Sequence, residues 1–239
     1  MNRIIKPVDW YRLIVEGLVI VVSILLAFAI DAWWDQHREM RDAEDQVARV
    51  VAELRANVAI LKAQDQSLEY ATRGAREFLS LMGPDVGPVS VQTVGEMMYR
   101  IYGVPTLSLS NNASRNLLSS GQLTAGHWID IRLALAELLS ETQVAESASL
   151  ELRQMRPEML EHMRSYVSGL DVAKMNPTMA DYPSSRFKSD AGALLSDMRF
   201  ESLIAHYAIR MEINRNYVDS LLEEYGVVLA MIETAIGEI

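Results

Sequence analysis

Residues 47–82 read VARVVAELRANVAILKAQDQSLEYATRGAREFLSLM. Val47, Val51, Leu54, Val58, Leu61, Asp65, Leu68, Thr72, Ala75, Leu79 and Met82 follow at alternating steps of four and three. That period keeps one seam of an α-helix turned toward a partner helix, as in a coiled coil. No glycine or proline interrupts before Gly74, and GPDVGP at 83–88 is a hard stop. The stretch predicts one long helix ending near Met82.

Toward the carboxyl terminus the same period returns twice. Ile131, Leu135, Leu138, Thr142, Ala145, Ser149 and Leu152 form one seam, which Pro157 should kink or break by removing a hydrogen bond. Phe200, Ile204, Tyr207, Met211, Asn214, Val218, Leu221, Tyr225, Leu229, Ile232 and Ile236 form the other. Short helices are expected at Val91–Tyr102, with Ser90 as cap, at Asn112–Ser119, capped by Ser110 or Asn111, and at Asp190–Met198. Residues 170–189 hold two prolines and no periodicity, so they read as a connection. Strand-like alternation is missing throughout. The expectation is an all-α fold, an elongated antiparallel bundle of three long helices with short accessory helices.

Upstream of the first seam, residues 16–36 read EGLVIVVSILLAFAIDAWWDQ. Gly17–Ile30 supplies 14 uninterrupted apolar positions, and extension to Leu13 and Trp34 gives 22. About 20 are needed to cross a bilayer. Trp10, Tyr11, Trp33 and Trp34 flank the run as interfacial aromatics do. Ala27-Phe28-Ala29 also has the small-x-small form of a signal-peptidase site. Glu16 between leader and apolar core, and the absence of a breaker before the alanines, favour a retained anchor. Arg3, Lys6 and Arg12 precede the run, so the positive-inside rule places the amino terminus in the cytoplasm. The expected organisation is residues 1–34 as leader and transmembrane helix, and residues 35–239 as a periplasmic helical domain. The expected location is the bacterial inner membrane, single-pass, with the lipid bilayer as a partner.

Composition narrows the chemistry. The chain has 239 residues, no cysteine and a formal charge of −10, all of it in residues 35–239 because residues 1–34 carry three bases and three acids. A disulfide framework and thiolate metal sites are excluded. Nucleic acid is a poor partner for such an acidic body.

Candidate sites are few. Glu16, Ile20, Ser23, Ala27, Asp31 and Trp34 share one helical stripe of small and polar residues, a surface on which another helix can pack closely. His37, His127, His162 and His206 lack metal-site spacing, since HExxH is absent and Glu158 and His162 stand four apart where a di-iron bundle needs three. The methionines Met97, Met98, Met155, Met159 and Met163 read as adaptable core filling. In LSLSNNASRNLLSSGQL, residues 107–123, the Ser and Asn cluster suits helix capping, and it also offers Asn111, Asn112, Ser114, Arg115 and the nearby His127 as a ligand or partner surface. No catalytic motif, metal or cofactor is read.

The span EGLVIVVSILLAFAIDAW (16–33), with NNASRNLLSSGQL (111–123) and IDIRLAL (129–135), resembles a bacterial family of small membrane-anchored proteins known only as a domain of unknown function. Ser23 stands where that family usually has glycine, and Asp31 near a usual asparagine. The resemblance implies one amino-terminal transmembrane helix and a mostly helical body, and it implies no activity. The functional expectation is a non-catalytic accessory protein, assembling with itself or with a membrane complex through the stripe and the helical body. The alternative is a membrane-tethered ligand-binding or hydrolytic domain with its pocket near residues 107–128.

Overall fold

A computed structural model describes residues 10–121, 126–174, 177–179 and 181–237. Within them the fold is all-α. The elements are α1 (Trp10–Ser80), α2 (Val91–Tyr102), α3 (Asn112–Ser119), α4 (His127–Gln154), α5 (Arg156–Arg164), α6 (Gly169–Ala173), α7 (Ala191–Leu195) and α8 (Met198–Gly237), with a 3-10 turn at Pro177–Met179. The chain divides into two compact units, Met1–Arg49 and Val50–Ile239.

The larger unit is a three-helix bundle. Thr142 on α4 meets Tyr225 on α8, and further along α4 Glu151 meets Arg210, so these two helices run antiparallel. Arg55, Asp65 and Arg76 on α1 meet Glu233, Arg215 and Glu212 on α8 in descending order, so this pair is antiparallel too. It follows that α1 and α4 run parallel, where simple up-and-down order would oppose them. The segment between them makes this topology, carrying the chain back along the bundle before α4 starts. Gly121 and Gly126 take φ of +69° and +59°, a backbone conformation costly for other residues.

Seams and core agree closely in α4, where all seven expected positions are buried. In α8 the expected positions are buried as far as Tyr225 and again at Ile232, while Val228 and Ala235 take the place of Leu229 and Ile236. In α1 the buried seam is Val47, Val50, Leu54, Asn57, Leu61, Gln64, Leu68, Ala71, Ala75 and Phe78. Val50, Asn57, Gln64 and Phe78 thus stand one residue before the expected Val51, Val58, Asp65 and Leu79, while Thr72 is buried as expected beside Ala71. Phe78 packs edge-on against Phe200, with ring centroids 6.0 Å apart, and both are fully buried. Gly74 lets α2 approach α1, since a Cβ there would lie 3.2 Å from the Arg100 Cβ. Pro157 falls in the first turn of α5, where its missing N–H costs nothing, and the expected break separates α4 from α5. Met98, Met159 and Met163 are buried in the core as expected.

In the smaller unit, Leu18, Val21–Ile30, Trp33 and Trp34 are all exposed along α1. Among the described residues, no helix is long and apolar enough to cross a membrane. This overturns the expectation of a single-pass inner-membrane protein with a cytoplasmic amino terminus and a periplasmic body. The physical reason lies in the count: the uninterrupted apolar run is 14 residues, and reaching 22 takes in both Glu16 and Asp31. Acidic groups at hydrocarbon depth are costly.

Candidate functional site

Residues 103–111 are not helical, so their backbone donors and acceptors need partners from elsewhere. Side chains of α1 and α4 supply them. Gln64 Nε2 donates to the Pro105 carbonyl at 3.0 Å, and the Leu107 N–H donates to Ser149 Oγ at 2.8 Å. The Leu109 N–H donates to Glu146 Oε1 at 2.7 Å. Asn57 acts twice on Ser110, accepting from its N–H at 3.0 Å and donating to its carbonyl at 2.7 Å. Arg156 donates to the Val104 carbonyl and, at 3.0 Å, to the Tyr207 hydroxyl. The strap thus lies across α1 and α4, with its own Val104 and Leu107 buried.

At its end the strap enters α3, and Glu53 takes over. One carboxylate oxygen accepts from the Ala113 N–H at 2.9 Å and the Ser110 hydroxyl at 3.1 Å. The other accepts from the Ser114 N–H at 3.0 Å and its hydroxyl at 2.8 Å. At the opposite end Arg132 donates to the carbonyls of Leu117 and Leu118 at 2.8 and 2.6 Å. An anion therefore sits at the amino end of α3 and a cation at its carboxyl end, as the helix dipole favours.

This arrangement corrects the capping expectation. Asn111 stands at the N-cap position but makes no side-chain cap bond. The cap is Glu53, 61 residues before Ser114 in the chain. Of the candidate surface residues, Ser114 is buried on Glu53, Asn111 is half-buried, and Asn112 and Arg115 are exposed. The side chain of His127 lies outside the described residues. Behind the strap, Asn57 also donates to the Tyr225 hydroxyl at 3.2 Å, which lies 3.2 Å from Thr142 Oγ1. Burial pushes the Tyr225 phenol above its ordinary value against the lowering effect of those two bonds.

A second polar cluster escaped the sequence reading. Asp197 caps α8 by accepting from the Phe200 N–H at 2.8 Å, and the Tyr166 hydroxyl donates to its other oxygen at 2.5 Å. His162 Nε2 lies 3.2 Å from Asp197 Oδ1 but is not aligned for a hydrogen bond, and its ring stacks on Phe200. The bond from Tyr166, then that from the Phe200 N–H, hold the Asp197 carboxyl at about 2. The expected single helix over 190–198 is instead α7, capped by Asp190, followed by this capped start of α8. The available signal was an aspartate directly ahead of an apolar periodic run.

The stripe fares differently. Ser23, Ala27, Asp31 and Trp34 are exposed on α1, and the side chains of Glu16 and Ile20 lie outside the described residues. His37 Nδ1 lies 3.1 Å from the Trp33 carbonyl, and His206 is exposed. Among the described residues no group of three His, Cys, Asp or Glu side chains is placed to hold a metal. Compared with protein-family models, curated proteins and solved structures, the chain matches none.

Proposed function

We propose that the chain is a non-catalytic helical accessory protein, which binds other protein surfaces or further copies of itself through its helical body. One observation carries this reading. Of the polar groups near residue 110, Ser110 and Ser114 are tied to Glu53 and Asn57 within the fold. Large apolar side chains also stand exposed on the long helices: Leu133 is 65% exposed on α4, and Val227 is 59% exposed on α8. Large apolar side chains grouped on a polar surface are characteristic of association sites.

The test is a native mass spectrum of the full chain purified from its own cells, with chemical crosslinks mapped on the same sample. The reading expects a stoichiometric complex crosslinked through α4 and α8. A monomer with no companion would overturn it.

A further inference from the structure

Three long helices in a bundle leave three outer grooves. The α1–α4 groove is filled by the strap, held from both sides by Asn57, Gln64, Glu146 and Ser149. The α1–α8 groove is crossed by the ion pairs Arg55–Glu233 and Asp65–Arg215, 2.8 and 2.7 Å long, and by Arg76–Glu212. The α4–α8 groove has neither a strap nor a ladder of pairs. Its one ion pair between the two helices among the described residues is Arg210–Glu151, at one end.

Two depressions open along it. One, of about 540 Å³, sets Val144, Ala148 and Tyr217 among the polar Ser140, Gln143 and Ser147, and the other, of about 500 Å³ and mainly apolar, lies against Ile131, Val227 and Met231. Arg210, Tyr217, Glu224 and Met231 recur every seven residues, so one face of α8 lines the whole groove. Glu141 and Glu224 each stand one position before Thr142 and Tyr225, the pair that meets across α4 and α8 at 3.2 Å, and Glu137 lies one turn before Glu141. Among the described residues no basic side chain pairs with any of the three. Burial, then Glu141 and Glu137, push the Glu224 carboxyl above its ordinary value. Three like charges face each other with no cation to offset them.

We propose that the α4–α8 groove docks a basic amphipathic helix of a partner protein, with apolar side chains in the two depressions and lysine or arginine between them on Glu137, Glu141 and Glu224. Charge complementarity selects the occupant, since an acidic or uncharged helix leaves the trio repelling itself in a drier setting. Length agrees, because Asp130 to Glu151 on α4 spans about 30 Å, room for a helix of about 20 residues. The docked helix completes a four-helix layer, with its anchors read at helical spacing. This inference rests on the reading of the chain as a protein-binding bundle and names the partner's chemistry.

The probe is a synthetic 20-residue helix of leucine, alanine and lysine, with leucines on one face at both ends and lysines in the middle, its affinity for the full chain read by fluorescence anisotropy. A glutamate analogue and a scrambled peptide serve as controls. The variant E137Q/E141Q/E224Q should weaken binding at least tenfold without lowering its thermal midpoint. The variant E161Q/D181N/E201Q, which removes as much charge elsewhere, should change affinity less than twofold. Equal losses in both variants would reduce the effect to the diffuse field of an acidic body and overturn the proposal. So would no binding of the lysine peptide, or a homodimer crosslinked through positions 144 and 227, which would put a second copy in the groove. The native mass spectrum separates the two levels: an intact complex beside a failed peptide sinks only the groove, whereas a bare monomer sinks the underlying reading as well.

Discussion

The carboxylate of Glu53 on α1 binds Ser114 twice, through its N–H at 3.0 Å and its hydroxyl at 2.8 Å, and so anchors a helix 61 residues further along the chain. Replacing Glu53 with alanine strips four donors of their acceptor. Buried donors left without partners cost about 1–3 kcal/mol, and a lost helix cap costs about 1 kcal/mol. Urea unfolding of Glu53→Ala should register a loss in that range. Amide exchange should quicken over residues 110–119 while α8 stays protected. Uniform quickening would show that the strap is not held by Glu53.

Asn57 occupies a position that a coiled-coil seam would fill with an apolar side chain. Asn57→Leu should nevertheless destabilise the protein, by about 2 kcal/mol, because both the N–H and the carbonyl of Ser110 lose their partner. A raised urea midpoint would mean that the strap's backbone is satisfied in some other way.

Acid should loosen the junction between α5 and α8. The Asp197 carboxyl is held at about 2, below its ordinary 3.8. A carboxyl depressed in the folded state contributes stability that is complete above about pH 4 and is lost as pH falls toward 2. Asp197→Asn should flatten the pH dependence of the thermal midpoint within that window. An unchanged slope would remove Asp197 from the account.

Glu224 has the opposite sign. Its carboxyl is pushed up, so ionisation is penalised in the folded state at neutral pH, and the penalty vanishes below the ordinary carboxylate range. Glu224→Gln should therefore raise the thermal midpoint at pH 7 and leave it unaltered near pH 3. Destabilisation at pH 7 would instead indicate that the carboxylate makes a favourable bond in the fold.

Much of this was legible in the sequence, and the misses have specific causes. The seam of α4 was read correctly because its buried polar positions, Thr142 and Ser149, are small and fall on the apolar register. In α1 the apolar register favoured Val58 and Asp65 over Asn57 and Gln64, since an amide is ordinarily placed outside. These two amides face inward because a strap more than 40 residues away presents carbonyls to them. No local pattern carries that information. The cap of α3 failed for the same reason, as Ser110 and Asn111 were the near candidates and Glu53 the distant one. The inner-membrane reading failed on length, for its apolar core is 14 residues and its extensions contain acids.

The most direct measurement is a pair of native mass spectra, of the wild-type chain and of E137Q/E141Q/E224Q, each purified whole from its own cells. The account predicts a bound protein companion in the first, carrying a basic helix crosslinked to α4 and α8, and its loss from the second. A companion held equally by both chains, or a bare monomer in each, would contradict it.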